Sequence, residues 1–139
     1  MRLNSDLIMD IRCRPIPIPV GTVGGQPQYQ FYPCYYFPEL IPSSDHPHPI
    51  VKNLNPIKTN FVSSIDLIDN DITKTVLLST SAFSRVKMAP AMISIKERID
   101  EPDQRLYIKK NLPVAVLLEG RFQSMWRSRM TNFWETASR

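Results

Sequence analysis

Long apolar runs, a CxxC pair, a second metal-ligand cluster and a glycine-rich phosphate loop are all missing from this chain of 139 residues. The longest uninterrupted apolar stretches, such as Val114 to Leu118, are about five residues, whereas a membrane-spanning helix needs about 20. The N-terminal Met-Arg-Leu-Asn-Ser-Asp has neither an apolar h-region nor a small-residue cleavage site, so it does not read as a secretory signal. There are only two cysteines, Cys13 and Cys34, and neither has a second ligand at CxxC spacing, which removes thiolate metal binding. Pairing across a sheet in an oxidising compartment and two buried free thiols both remain open for them.

Apolar residues make up 42% and charged residues 22%, ordinary values for a folded domain, so wholesale disorder is not expected despite 13 prolines. Eleven of those prolines fall between Pro15 and Pro90, where they exclude any long helix and predict strands and loops. The net charge of +4 is carried by scattered basic residues, which fits a solvated surface better than a nucleic-acid site.

The pattern predicts a strand from Leu7 to Cys13, ended by the Pro-Ile-Pro-Ile-Pro stretch, then a loop over Gly21 to Gln26 that feeds a strand at Tyr29 to Tyr32. Pro49 can open one or two helical turns through Leu54, closed by Asn55-Pro56. Thr59 to Leu67 and Thr73 to Ser79, separated by Asp69-Asn70-Asp71, read as an antiparallel pair, and Met92 to Ile95 and Val114 to Leu118 as two more short strands. Phe122, Met125, Trp126, Met130, Phe133 and Ala137 fall on one stripe of a C-terminal amphipathic helix. The expected architecture is therefore α/β but β-rich, with short strands, short helices and that terminal helix, divided into a β-rich part over 1–120 and the helix over 121–139.

Asp45, His46 and His48 form the one cluster of metal-ligating or acid-base type, and a hydrolase or metal enzyme would be built on them. The flanking prolines favour polyproline geometry, in which residues two apart diverge, so loop packing or capping of the short helix is the better reading. Gly21, Gly24 and Gly25 lack a following Gly-Lys-Ser/Thr and read as a turn. Ser79-Thr80-Ser81 lacks the Gly-x-Ser-x-Gly elbow and reads as hydroxyls capping the turn at Ala82 to Arg85. Glu119, after a buried run, suits a functional carboxylate or a salt bridge to a nearby Arg, the latter being the better reading. Arg121, Arg127 and Arg129 with Phe122 and Trp126 mimic a single-strand-binding surface but equally suit one amphipathic helix.

Several stretches together resemble the gliding-motility-associated ABC transporter accessory subunit of Bacteroidetes, the GldG family, often called substrate-binding. They are Asn4-Ser5-Asp6-Leu7-Ile8-Met9-Asp10, Val23-Gly24-Gly25-Gln26-Pro27-Gln28, Tyr35-Tyr36, His48-Pro49-Ile50-Val51-Lys52-Asn53-Leu54, Phe61-Val62-Ser63-Ser64-Ile65-Asp66, Leu77-Leu78-Ser79-Thr80-Ser81 and Leu112-Pro113-Val114-Ala115-Val116-Leu117-Leu118-Glu119-Gly120. The resemblance implies a part of an amidotransferase-like α/β domain that has lost catalysis, cut from a protein anchored in the inner membrane with its domain on the periplasmic side. It implies an ABC permease and, through it, an ATPase as partners, with membrane contact only through anchors outside this chain; the residues themselves point to no cofactor, metal or nucleic acid. The positions it carries over as a partner or ligand surface are Gly24, Gly25, Tyr35, Tyr36, His48, Pro49, Asn53, Ser64, Asp66, Glu119 and Gly120. A small-ligand binding domain, with Tyr35, Tyr36 and His48 lining a pocket, is the alternative.

Overall fold

A computed structural model of the chain describes residues 1–43, 47–94 and 102–123. The described residues are nearly all β. The strands are β1 (Arg2–Leu3), β2 (Asp6–Asp10), β3 (Cys13–Val23), β4 (Gln26–Pro42), β5 (Ile57–Lys58), β6 (Ile65–Asp66), β7 (Thr73–Ser79), β8 (Ser84–Met88) and β9 (Pro113–Glu119). The α/β expectation is overturned: among the described residues the one helical element is a 3-10 turn at Gln104–Leu106, and no α-helix packs on the sheets. Prolines explain this, since eleven of them interrupt the stretch from 15 to 90 where helices would have to form. The expected turns after Pro49 are present as hydrogen-bonded turns rather than helix: the Val51 and Lys52 N–H groups donate to the His48 carbonyl and the Leu54 N–H to the Val51 carbonyl, with Asn53 at φ 67°. The expected C-terminal helix lies outside the described residues apart from its first members, and residues 121–123 are irregular.

Strands β3, β4, β7 and β9 follow one another in a five-stranded antiparallel sheet, with β5 pairing on β4. β1 pairs with β6, and β2 pairs along its whole length with β8, from Asp6 opposite Met88 to Asp10 opposite Ser84. β2 is buried at every position because β8 pairs beside it and β4 packs against it, and a strand covered on both faces needs a continuous apolar run, here Leu7-Ile8-Met9. The core gathers Leu7, Met9, Cys34, Tyr35, Tyr36 and Tyr107, with Ile16 and Phe37 packed against it.

Where the proline stretch was expected to end a strand, it is the strand. β3 runs through Pro15, Pro17 and Pro19, and β4 continues through Pro27, Pro33 and Pro38 for 17 residues. Prolines two apart put their missing N–H groups on one lateral side, so a ladder survives if the other side faces the partner. The register satisfies this: Ile16 opposes Tyr32 and Ile18 opposes Gln30, while Pro15 opposes Pro33, Pro17 opposes Phe31 and Pro19 opposes Tyr29. Gly24 and Gly25, at φ 60° and 81°, close the hairpin in two residues, a turn that needs positive φ at both positions. Two further expectations shift. Thr73 to Ser79 is a strand, but it pairs with β9 and with the end of β4 rather than with Thr59 to Leu67, of which Ile65–Asp66 forms a strand, paired to β1. Ser84–Met88, whose first two residues were expected in the turn at Ala82 to Arg85, is the partner of β2.

Ile8 has no exposed surface. Ile8→Ala is expected to lower unfolding free energy by about 3 kcal/mol through lost burial and the cavity left behind, measured by urea denaturation; a loss under about 1 kcal/mol would show that β2 is not packed as described.

Candidate functional site

Two carboxylates bracket β2, and both are buried. Asp6 accepts the Ser64 N–H at 2.8 Å and the Ser64 hydroxyl at 2.5 Å, and Asn4 Nδ2 donates to that same hydroxyl at 2.9 Å. Asp10, with no exposed surface, accepts the Arg12 N–H at 2.7 Å, the Ser81 N–H at 2.7 Å and the Ser81 hydroxyl at 2.6 Å. Beside it, the Thr80 and Ser84 hydroxyls share a hydrogen bond of 2.7 Å. Ser84 donates to the Lys109 carbonyl, and Thr80 accepts the Leu112 N–H. Each carboxylate holds a loop far away in sequence against the end of the strand, and every buried side-chain nitrogen and oxygen among the described residues has a partner.

A serine beside a carboxylate is two thirds of a nucleophilic site, but among the described residues no imidazole hydrogen-bonds to Ser81 or Asp10. Of the two histidines, His46 lies outside the described residues, and His48 uses Nδ1 to accept the Ile50 N–H while its carbonyl closes the turn. Ser81 Oγ is engaged by Asp10 and accepts the Phe83 N–H, which makes it a turn cap. Asp45 also lies outside the described residues, among which no group of three metal-ligating side chains occurs.

The sequence-derived positions occupy separate parts of the fold. Gly24 and Gly25 form the tip of the β3–β4 hairpin. Tyr35 and Tyr36, 5% and 1% exposed, are neighbours on one strand and so face opposite sides. Tyr35 meets Tyr107 edge-on at 6.0 Å and Tyr36 lies 6.4 Å from Phe61, so both rings are engaged in packing. His48, Pro49 and Asn53 belong to the exposed turn before β5. Ser64 is tied to Asp6, and Asp66 pairs with Arg2 at 3.0 Å in the open. The Asn4 side chain, ahead of the Arg2 guanidinium, holds Asp66 below the usual carboxylate range. Glu119 is exposed at the end of β9 opposite Thr73, and Gly120 follows it against Ile72.

What sequence reasoning missed is a surface. From Pro15 to Pro38 no residue carries charge, and this stretch builds the hairpin arm. Paired residues share a face, so Pro15, Pro17, Pro19, Tyr29, Phe31 and Pro33 lie together. The opposite face carries Ile16, Ile18, Gln30 and Tyr32, of which Ile16 reaches the core. The first face is turned to solvent, with Tyr29 57% and Phe31 68% exposed, and Val20 and Val23 exposed towards the tip. The signal was readable as a 24-residue window without a single ionisable acid or base of ordinary pH range.

Both cysteines sit at the root of this arm and neither is in a disulfide. Burial, reinforced by the neighbouring Cys34, pushes the Cys13 thiol up to about 12, so it carries almost no thiolate at neutral pH.

The described residues combine two buried carboxylate clamps with an uncharged, solvent-facing arm. The chain belongs to the family described as ABC-type uncharacterized transport system, whose model matches residues 1–138, so it is an auxiliary component of an ABC transport system. Comparison with curated proteins and with solved structures gave no match.

Two outcomes are expected from this site. Asp10→Ala strands three donors and should cost about 3 kcal/mol at pH 7 by chemical denaturation. Burial raises the Asp10 pKa above 3.8, so the native state takes up the proton first and the stability it contributes grows as pH falls through the folded value. The gap between wild type and Asp10→Ala should therefore widen on acidification and stop widening below about 3.8; a gap that narrows over that range contradicts the burial. Separately, a thiol-reactive disulfide reagent at pH 8 should label neither cysteine in the folded chain within the time in which it labels both in denaturant. Rapid labelling of the native chain would contradict the packing at the arm's root.

Proposed function

We propose that this domain is a non-enzymatic accessory component of a gliding-motility-type ABC transporter, held on the periplasmic side of the inner membrane and docking to the permease and, through it, the ATPase. The uncharged, solvent-facing arm is the observation that carries the docking reading. Monomeric soluble domains rarely present a continuous apolar surface without a use for it, and an arm without charge costs little to desolvate against a protein partner. The same arm does not suit insertion into lipid, because a two-stranded hairpin has open edges whose backbone groups the hydrocarbon cannot satisfy. Family membership supports the transport system, and the ordered set of stretches from Asn4 to Gly120 supports the gliding-motility branch and its compartment. The absence of charge and the two-glycine turn support a docking role for Gly24 and Gly25 at the tip, with the buried Tyr35 and Tyr36 at the root of the arm.

The test is co-purification of the full-length protein with its tagged permease from solubilised membranes. Wild type should be recovered with the permease, and Val20→Glu with Val23→Glu, which places charge on exposed positions, should reduce recovery about tenfold. Equal recovery of the double variant would remove the arm from the interface, and no recovery of wild type would remove the docking role.

A further inference from the structure

The two edges of the arm are not equivalent. Along the outer edge of β3, the positions from 15 to 19 that point away from β4 are Pro15, Pro17 and Pro19, so that part of the edge offers carbonyls and no N–H donor, while Thr22, opposite Pro27, keeps its donor near the tip. This is the device by which sheet proteins block edge-to-edge growth. On the outer edge of β4 the corresponding positions are Pro27, Tyr29, Phe31 and Pro33. Two donors, Tyr29 N–H and Phe31 N–H, are therefore left between two prolines, and no backbone partner for either occurs among the described residues. Both side chains are more than half exposed.

We propose that this window pairs with the same window of a second copy of the chain, antiparallel, about a two-fold axis through Gln30. The window is self-complementary in that register. Tyr29 falls opposite Phe31 of the second copy and Phe31 opposite its Tyr29, so all four available donors meet carbonyls. Pro27 falls opposite Pro33, so no donor is wasted on either strand and the ladder stops at both ends. The side chains agree with the backbone, because each directly opposed pair is aromatic on aromatic, the most favourable type of cross-strand pair, and occurs twice by symmetry. No charge lies between residues 15 and 38 to repel its own image across the axis. The joined arms make a four-stranded sheet whose two outer edges are both β3, blocked by proline from Pro15 to Pro19, so a third copy finds no matching run of donors there. The interface is small, in the class below about 1,200 Å², which makes it a reversible dimer. Its occupant differs from the permease invoked above, and the assay uses the chain alone, so either reading can fail without the other.

Sedimentation velocity over a concentration series should show the weight-average mass rising from one chain towards two and no further. Phe31→Pro removes a donor that the β3–β4 ladder does not use, so the fold, checked by circular dichroism, should persist while association weakens about tenfold or more. The register is read by single cysteines. Gln30→Cys places two thiols directly opposed across the axis and should form a covalent dimer with glutathione disulfide, whereas Gln28→Cys opposes Tyr32 of the second copy and should not. A chain that stays monomeric at all concentrations, a dimer indifferent to Phe31→Pro, or equal cross-linking at 28 and 30 would each overturn the proposal.

Discussion

The fold hangs on the burial of one five-residue strand with a carboxylate at each end. Asp6-Leu7-Ile8-Met9-Asp10 is enclosed at all five positions, and two charges cannot be enclosed without donors aimed at them. Ser64 answers Asp6, and Ser81 with the Arg12 amide answers Asp10. The three apolar residues supply the attraction while the two acids fix which loops close over it, and a one-residue slip that brings Leu7 and Ile11 into the places of Asp6 and Asp10 would face each serine with an apolar side chain and put a carboxylate in the core. That specificity comes at the expense of stability, since burial disfavours the charged form of Asp10 even with its three donors in place.

From that anchor the rest follows outward. Two bends after β2 the chain becomes β3, and the root of the arm is gripped by the tyrosine cluster, with Tyr35 against Tyr107 and Arg85 5.8 Å over the Tyr107 ring. The arm beyond it is held by its own ladder and its two-glycine turn, with Ile16 as its apolar tie to the core. An auxiliary component of a transport system is thus divided between a body organised by buried polar clamps and a projection that carries none.

Strand β7 and strand β9 were legible in the sequence because β-branched and aliphatic residues there are uninterrupted by proline. Prolines at Pro15, Pro17 and Pro19 hid the longest hairpin, since a proline excludes a strand only where its nitrogen must donate, and which side donates is a property of pairing rather than of sequence. The pairing of β2 with β8 was hidden because Ser84-Arg85-Val86-Lys87-Met88 alternates polar and apolar residues in a run that the preceding turn signal obscured. Of the site, the turn role of Gly24 and Gly25 and the capping role of His48 could be read locally. The serine partners of Asp6 and Asp10 are 58 and 71 residues away and no local pattern announces them. The face shared by Pro17, Phe31 and their neighbours likewise needed the register.

The uncharged window from Pro15 to Pro38 bears on how contacts made by the arm behave in different solutions. Long-range attraction between charges speeds encounter and is screened by salt, but an arm of prolines, glutamines, aliphatics and aromatics offers no fixed charge for either effect. Association through it would proceed at the rate set by diffusion and orientation, and its strength would be governed by dehydration of rings and pairing of backbone groups. A contact of this kind owes little to charge screening, so added salt acts on it mainly through the dehydration of its apolar groups.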